Sequence, residues 1–460
     1  MSVVIVGGGP AGLAAAYRLD QRWATPSIVL ERASVFGGLA AGFKQGDFTL
    51  DYGPHRLHAA THPEVLVDLQ RFLGDDLVLR RRHGLIRLNG RYLPFPIGPR
   101  SILALGPQRI VEIASGLAAA KLSRPSTPAG SYEELLVRRL GRPLYDLFYG
   151  PFGEKTWGLS GQEISLDQAD RRVNQTGVKD LFLTALGRGG SKFYYYPNGG
   201  FGRIPQAYAD ALHQSERVGM HTQASVTEVT WEGDRLIGLR YDREGEHAEQ
   251  IDHLIWSAPV DQLVRLLSPA APQPVLDATS KLRHRAAVLC YVVLNRPHAG
   301  DADTYYFPER EFPFNRVAEL RNFSTDTAPA DRTVLCLDIP CDIDGPVFAM
   351  DDTQLREYVL PGLVRAGLVQ PADVAEVFSR RAGNVYPIYD LQYKQSADVM
   401  MEWLGRFRNL WLIGRQGLFL HNNTHHSLYM GYRAADAIAK DARAGWDEAL
   451  AEFGAFRVAD

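Results

Sequence analysis

Three glycines near the start of the chain, Gly7-x-Gly9-x-x-Gly12, follow the apolar run Val3-Val4-Ile5-Val6 and open at once into the alanine-rich stretch Leu13 to Leu19. A strand, a tight turn and a helix in that order are what a dinucleotide pyrophosphate needs. Gly7 makes the turn, Gly9 lets backbone approach phosphate, and Gly12 lets helix pack on strand. The helix N-terminus, with Pro10 and Ala11 in its first turn, faces the anion. A second strand, Ser27-Ile-Val-Leu30, ends in Glu31, nineteen residues past Gly12, where a carboxylate binds ribose hydroxyls. A glycine-rich turn without a ligand is the competing reading, and the strand and acid around it weigh against that.

Four further stretches carry groups that could do chemistry. Gly53-Pro54-His55-Arg56-Leu57-His58 fixes a histidine just after a strand, either facing a cofactor ring or satisfied by backbone in the core. Tyr149 to Gly158, with Lys155 and Trp157, precedes the pair Arg171-Arg172; packing and a solvated helix face are the plainer readings. Thr304-Tyr305-Tyr306-Phe307-Pro308, followed by Pro313-Phe314-Asn315-Arg316, offers a tyrosine hydroxyl and an arginine fork suited to phosphate, or else an edge strand with a charged end. Last come Gly414-Arg415 and the run His421-Asn422-Asn423-Thr424-His425-His426-Ser427, then Met430-Gly431. No carboxylate or cysteine lies at ligand spacing from those histidines, so no metal is expected. A Ser/His/Asp nucleophile elbow is absent, which leaves hydrolysis unsupported.

The elements that must position these groups are α/β. Residues 1 to 75 read as βαβ, and 76 to 192 as mainly helical (109–122, 131–140 and 165–186). A helix over 204–215 and strands over 225–232, 235–241 and 253–259 follow. A second strand-rich block, 286–295 and 333–340, alternates as a sheet with one covered face. A buried strand over 409–415 leads to a closing helix from about 427 to 442, with Gly431 near its start. The expected fold is therefore a discontinuous Rossmann-like dinucleotide domain, 1–75, 193–285 and 405–445. A mixed α+β substrate or cap domain, 76–192 and 286–404, would cover it.

Bulk properties narrow the classes. With 460 residues, two domains with sizeable cores are available, and a formal net charge of -3 points to neither nucleic acid nor an anionic membrane. Cys290, Cys336 and Cys341 have no CxxC spacing and read as buried, inert thiols. No apolar run approaches a membrane span, and the chain starts in a strand with no room for a signal peptide. A cytoplasmic protein with a small-molecule substrate is expected; self-association stays open.

After Glu31, the segment Arg32 to Gly37-Gly38-Leu39 resembles the ExxxxxGG continuation of FAD enzymes of the amine oxidase and protoporphyrinogen oxidase type, where the second glycine pair passes close to the flavin side. NAD-only dehydrogenases lack it, so the resemblance implies FAD. Taken in order, the remaining stretches resemble the UDP-galactopyranose mutase family in its eukaryotic-type branch. Tyr149 through Val173 is similar to its YxxKxWxxP…RV stretch, and Tyr194 to Gly200 to its FRYPxxGG. Tyr306 to Arg316 is similar to YFPE…PFYR, and Gly414 to Gly431 to GRFG and NxxHSFxxG. One departure stands out: Tyr92-Leu-Pro-Phe95-Pro-Ile-Gly98 keeps an aromatic but has Gly98 where the family has a glutamine on uracil.

The resemblance implies an FAD-dependent mutase acting on a nucleotide sugar. Reduced flavin would attack the sugar through N5, the sugar ring would be rebuilt, and NAD(P)H would serve only as reductant. It implies catalytic roles for His55, Arg172, Tyr306, Arg316, Arg415 and Asn423, with Arg172, Arg316 and Tyr306 clamping the diphosphate. Cofactor contacts fall on Gly7, Gly9, Pro10, Ala11, Gly12, Glu31, Arg32, Gly37, Gly38, Leu39, Gly53, Pro54, His55, Val226, Gly414, Arg415, Ser427 and Met430. The alternatives are an amine oxidase or protoporphyrinogen oxidase-like oxidoreductase, and a non-catalytic flavin-binding scaffold.

Overall fold

The computed structural model describes residues 2–123, 128–172, 193–440 and 443–458, leaving out the side chains of Pro99, Arg100, Asp170, Arg172 and Ala444. A five-stranded parallel sheet runs in the order Val218–His221, Ser27–Leu30, Val3–Val6, His253–Trp256, Leu410–Leu412. Distant stretches of chain thus build one sheet. Alternation along Val3–Val6 sends Val3 and Ile5 into one core and Val4 and Val6 into another, as a strand buried on both faces must.

On the first face lie the helices Pro10–Trp23, Arg203–His213 and Thr424–Ala439. Gly9 caps the first of these and Pro10 occupies its opening turn, where a missing N–H costs nothing. Closeness between the first and last helices rests on Gly431, whose added Cβ would stand 2.3 Å from the Ala11 carbonyl oxygen. Arg18 locks the same contact, donating from Nε and Nη2 to Asp436 at 2.8 and 2.9 Å and from Nη2 to Glu64 at 2.8 Å. The second face is covered by the antiparallel strands Ser225–Glu232, Arg235–Asp242 and Glu246–Gln250.

A seven-stranded sheet forms the other half of the molecule, with His284–Leu294 and Thr333–Cys341 at its heart. Both strands are buried nearly throughout, so this sheet is covered on two faces, not one. Val288, Cys290 and Val292 enter one core, while Leu289, Tyr291 and Val293 enter another against Phe48 and Leu50. The 76–192 stretch is mainly helical among the described residues, as expected, but it opens with three strands. Gly84–Leu88 and Arg91–Phe95 form a hairpin at the edge of the seven-stranded sheet, and Leu77–Arg81 pairs with Phe193–Pro197. The turn is Asn89-Gly90, with φ of 50° and 74°, the left-handed pair that a tight hairpin demands.

The closing helix begins at Thr424, a turn earlier than its hydrophobic pattern suggests, because Asn423 caps it in a box with His426. Of the helix expected over 165–186, Leu166–Arg172 is described and the rest lies outside the described residues. The 409–415 strand is confined to Leu410–Leu412, after which Gly414–Gly417 makes a helical turn. Among the described residues no helix is long and apolar enough to cross a membrane.

Gly431→Val drives a branched side chain into backbone of the first helix. It is expected to cost more than the about 1–3 kcal/mol of ordinary overpacking, read as a lower urea midpoint. A midpoint equal to the parent protein's contradicts this packing.

Candidate active site

The glycine turn comes first because it fixes everything downstream. Gly7 has φ +102°, and a Cβ there would meet the Ser257 hydroxyl at 2.4 Å. At Gly12 a Cβ would lie 2.0 Å from the Gly7 carbonyl oxygen, so strand and helix touch through that glycine. Gly38, exposed and at φ +52°, faces Gly9, its would-be Cβ 3.2 Å from the Gly9 Cα. Two bare backbone segments thus meet at the helix N-terminus, whose first-turn N–H groups have no intrahelical acceptor. Glu31 is held beside it, its carboxylate accepting from Gly8 N and Ala33 N, each at 2.7 Å. Val226 lies in the strand that follows Gln223 and Ala224, whose N–H groups donate to the Ala33 and Glu31 carbonyls at 2.9 Å. Arg32 is exposed. These are the features a bound dinucleotide requires: a glycine cradle that side chains would fill, an anion-favouring helix end and a fixed ribose-side carboxylate.

A cleft with ≈ 940 Å³ of empty space, part of it open solvent, begins at Leu39, the residue after Gly38. One wall is Leu39 and Gly53-Pro54-His55-Arg56; the other is the seven-stranded sheet, which contributes Leu289, Arg316, Asp338 and Tyr386. Arg415, Asn423 and Thr424 close one end. Register explains the second wall. Tyr306 pairs with Arg316, Arg316 with Asp338 and Asp338 with Leu289, so these four form one transverse row on one face of the sheet.

His55 donates from Nε2 to the Tyr52 carbonyl at 2.9 Å and stacks on Phe201 with centroids 5.2 Å apart. Burial lowers its pKa to about 4; the Tyr52 carbonyl opposes this, and the Arg415 and Arg316 charges add to it. It is a neutral imidazole at pH 7. Arg316 reaches Asp338 Oδ2 from Nε at 3.0 Å and from Nη2 at 2.5 Å, and the Tyr386 hydroxyl from Nη2 at 3.4 Å. Arg415 donates to the Val385 and Asn422 carbonyls at 3.1 and 2.6 Å and lies 5.3 Å from the Tyr386 ring centroid. Gly414, at φ +75°, donates its N–H to Met430 Sδ at 3.3 Å, and Ser427 donates to Asn422 Oδ1 at 3.3 Å. Met430 and Ser427 therefore hold the loop bearing Arg415.

Not every expected residue converges here. Tyr306 is 2 % exposed and stacks on Phe95 at 4.1 Å, with Arg82 Nη2 donating to its hydroxyl at 3.1 Å. It shares the sheet row but is not among the residues that line the cleft. The side chain of Arg172 lies outside the described residues. Trp157 packs in the core with Tyr132, and Lys155 donates to the Phe307 and Phe314 carbonyls at 2.6 and 2.7 Å, stitching the 307–314 loop. The histidines of the 421–426 run are packed aromatics: His425 stacks on His58, and His426 on Phe456.

Sequence reasoning missed Arg56, Asp338 and Asp51. Arg56, next to His55, reaches Asp303 and Thr304, each at 2.7 Å. Asp338 is the lone charge in the apolar run Thr333–Cys341, and a buried charge announces a partner. Asp51 is 2 % exposed and receives the Tyr196 hydroxyl, Phe201 N at 2.9 Å and Gly202 N at 3.0 Å.

A family model, flavin containing amine oxidoreductase, matches residues 10–438. The chain belongs to that family. It is an α/β flavoprotein, and FAD is the cofactor its cradle fits. Among solved structures the fold of this flavoenzyme is similar to that of reduced UDP-galactopyranose mutase, with 22% identity, TM-score 0.82, and 96% of this chain and 94% of that one covered. A proposed protoporphyrinogen oxidase from Exiguobacterium sp. 255-15 matches with 20% identity, TM-score 0.73 and 96% and 99% coverage. Wild-type putrescine oxidase bound to putrescine matches with 17% identity, TM-score 0.62 and 95% and 99% coverage.

Burial lowers His55 and His426 to about 4 and His425 to about 2, from an ordinary 6.5. The unfolded chain takes up these protons first as pH falls, so their contribution is complete above pH 6.5 and is lost on the way down to about 4 for His55 and His426 and to about 2 for His425. Urea titrations are expected to show unfolding free energy falling over that window, by up to about 1.4 kcal/mol per pH unit for each histidine. His426→Phe flattens the slope; an unaltered slope contradicts the assignment.

Proposed function

We propose that this flavoenzyme rearranges the ring of a nucleotide-linked sugar without net oxidation, in the manner of UDP-galactopyranose mutase. The observation that carries the reading is the sheet row Tyr306, Arg316, Asp338, which turns a guanidinium into the cleft opposite neutral His55 and beside Arg415. A departing diphosphate needs such fixed cations, and a neutral amine or porphyrin ring does not. The chemistry supplied by bound FAD is nucleophilic, from its reduced form, with NAD(P)H as the reductant.

The chain's own residues divide the remaining work. Glu31 takes the ribose hydroxyls, and the Gly7–Gly12 turn and Gly38 accept the pyrophosphate. Pro54, His55 and Gly414-Arg415 would hold the flavin ring system, where a neutral imidazole adds no competing charge. Arg316, with Arg172, receives the substrate's phosphates, and Asn423 orients the sugar. On this reading 1–75, 193–285 and 405–445 form the FAD-binding domain and the remainder the substrate domain.

A specific observation favours the second reading, an oxidoreductase acting on a C–N or C–C unit. Asp338 already neutralises Arg316, which lowers the cleft's attraction for an anion.

Arg316→Ala separates the two. Hydrogen bonds to charged groups are worth about 1.5–3 kcal/mol, so UDP binding followed by flavin fluorescence is expected to weaken about 10- to 100-fold. Asp338→Asn, which lifts the neutralisation, is expected to bind UDP at least as tightly as the parent. Unchanged binding in Arg316→Ala removes the diphosphate clamp and leaves the oxidoreductase.

A further inference from the structure

One residue lining the cleft comes from the far end of the described chain. Val458, 6 % exposed, lines it alongside His55, Arg316 and Arg415, although it is some thirty residues beyond the last expected site residue, Met430. The segment that brings it there is short. After the helix Arg443–Gly454, Ala455 N and Phe456 N donate to the Glu452 and Phe453 carbonyls at 3.0 and 3.2 Å, and the chain then leaves the helix. Phe456 lies flat on the His426 ring, with centroids 4.3 Å apart and planes 10° apart. Arg457 is exposed. Val458 turns inward, and its N–H donates to the Arg171 carbonyl at 2.9 Å, in the helix Leu166–Arg172 on the substrate side.

We infer that Phe456–Val458 is a strap across the cleft, and that Val458 sets how large a group can reach its inner end. Among the described residues two anchors of different chemistry hold it: an aromatic face on the helix that begins beside Asn423, and a main-chain hydrogen bond to the opposite side. Release of that bond would withdraw the valine without disturbing either sheet. The helix Arg443–Gly454 remains docked through Trp446 and Phe453, which are buried in the main core. The strap controls access whichever chemistry the cleft performs, and so stands apart from the mutase reading.

Its test uses the FAD-loaded protein and needs no substrate. The native thiols Cys290, Cys336 and Cys341 are buried, leaving a quiet background for an introduced cysteine. Maleimide should label Val458→Cys at least tenfold more slowly than Arg457→Cys; equal rates would mean that the strap is not docked. Acrylamide quenching of flavin fluorescence reads access directly. Deleting residues 455–460 is expected to raise the quenching constant several-fold, Val458→Gly to raise it, and Val458→Trp to lower it, with Arg457→Ala unchanged. Should the deletion not fold, the Val458→Gly and Val458→Trp pair carries the test. Quenching that is the same in Gly, Val and Trp forms overturns the proposal.

Discussion

The buried carboxylate of Asp51 is the constraint on which the two halves of the molecule depend. Burial raises its pKa, while the Tyr196 hydroxyl and the Phe201 and Gly202 N–H groups pull it down. Those donors come from Tyr196 to Gly202, the segment where the chain re-enters the parallel-sheet half. The Asp51 carbonyl meanwhile accepts from Tyr291, in the middle of the seven-stranded sheet, at 2.6 Å. One residue thus ties cradle and sheet together, and Gly53-Pro54-His55 follows it directly. An unpaired buried carboxylate would be costly; three donors make this one a fixed point from which His55 is aimed.

Cations around the cleft follow the same logic of prior engagement. Arg56 is held by Asp303, Arg316 by Asp338, and Arg415 by two main-chain carbonyls. A guanidinium has five donors in a planar fork, so spending some on the protein orients the rest. Preorganisation of this kind stabilises charge that develops during a reaction, because no reorientation is needed at that moment. Of the two carboxylates in these pairs, Asp338 lines the cleft itself, so its pair with Arg316 fixes direction and reduces charge together.

Much of this was legible in the sequence, and the reasons for the rest are physical. The Gly7–Gly12 turn, Glu31 and the Gly37-Gly38 pair are local geometry, which sequence spacing encodes directly. The edge hairpin over 84–95 is poorly legible because Arg87 and Arg91 interrupt its apolar residues, although Asn89-Gly90 is a turn signal. The row Tyr306–Arg316–Asp338 depends on strand register, a long-range property that no local pattern states. Tyr306 illustrates the difference: its motif was visible, yet stacking on Phe95 withdrew it from the cleft wall. Val458 reaches the site only through the docking of a helix far along the chain, and its own neighbourhood in sequence carries no signal.

The central claim is redox-neutral ring chemistry on a nucleotide sugar. Its most direct test incubates dithionite-reduced protein, under anaerobic conditions, with UDP-, GDP- and dTDP-hexoses, and follows products by chromatography and NMR. A new isomer of one of these sugars is expected, with the flavin still reduced when the reaction ends. If no isomer forms, while the oxidised protein turns over an amine with release of hydrogen peroxide, the claim is contradicted and the oxidoreductase reading replaces it.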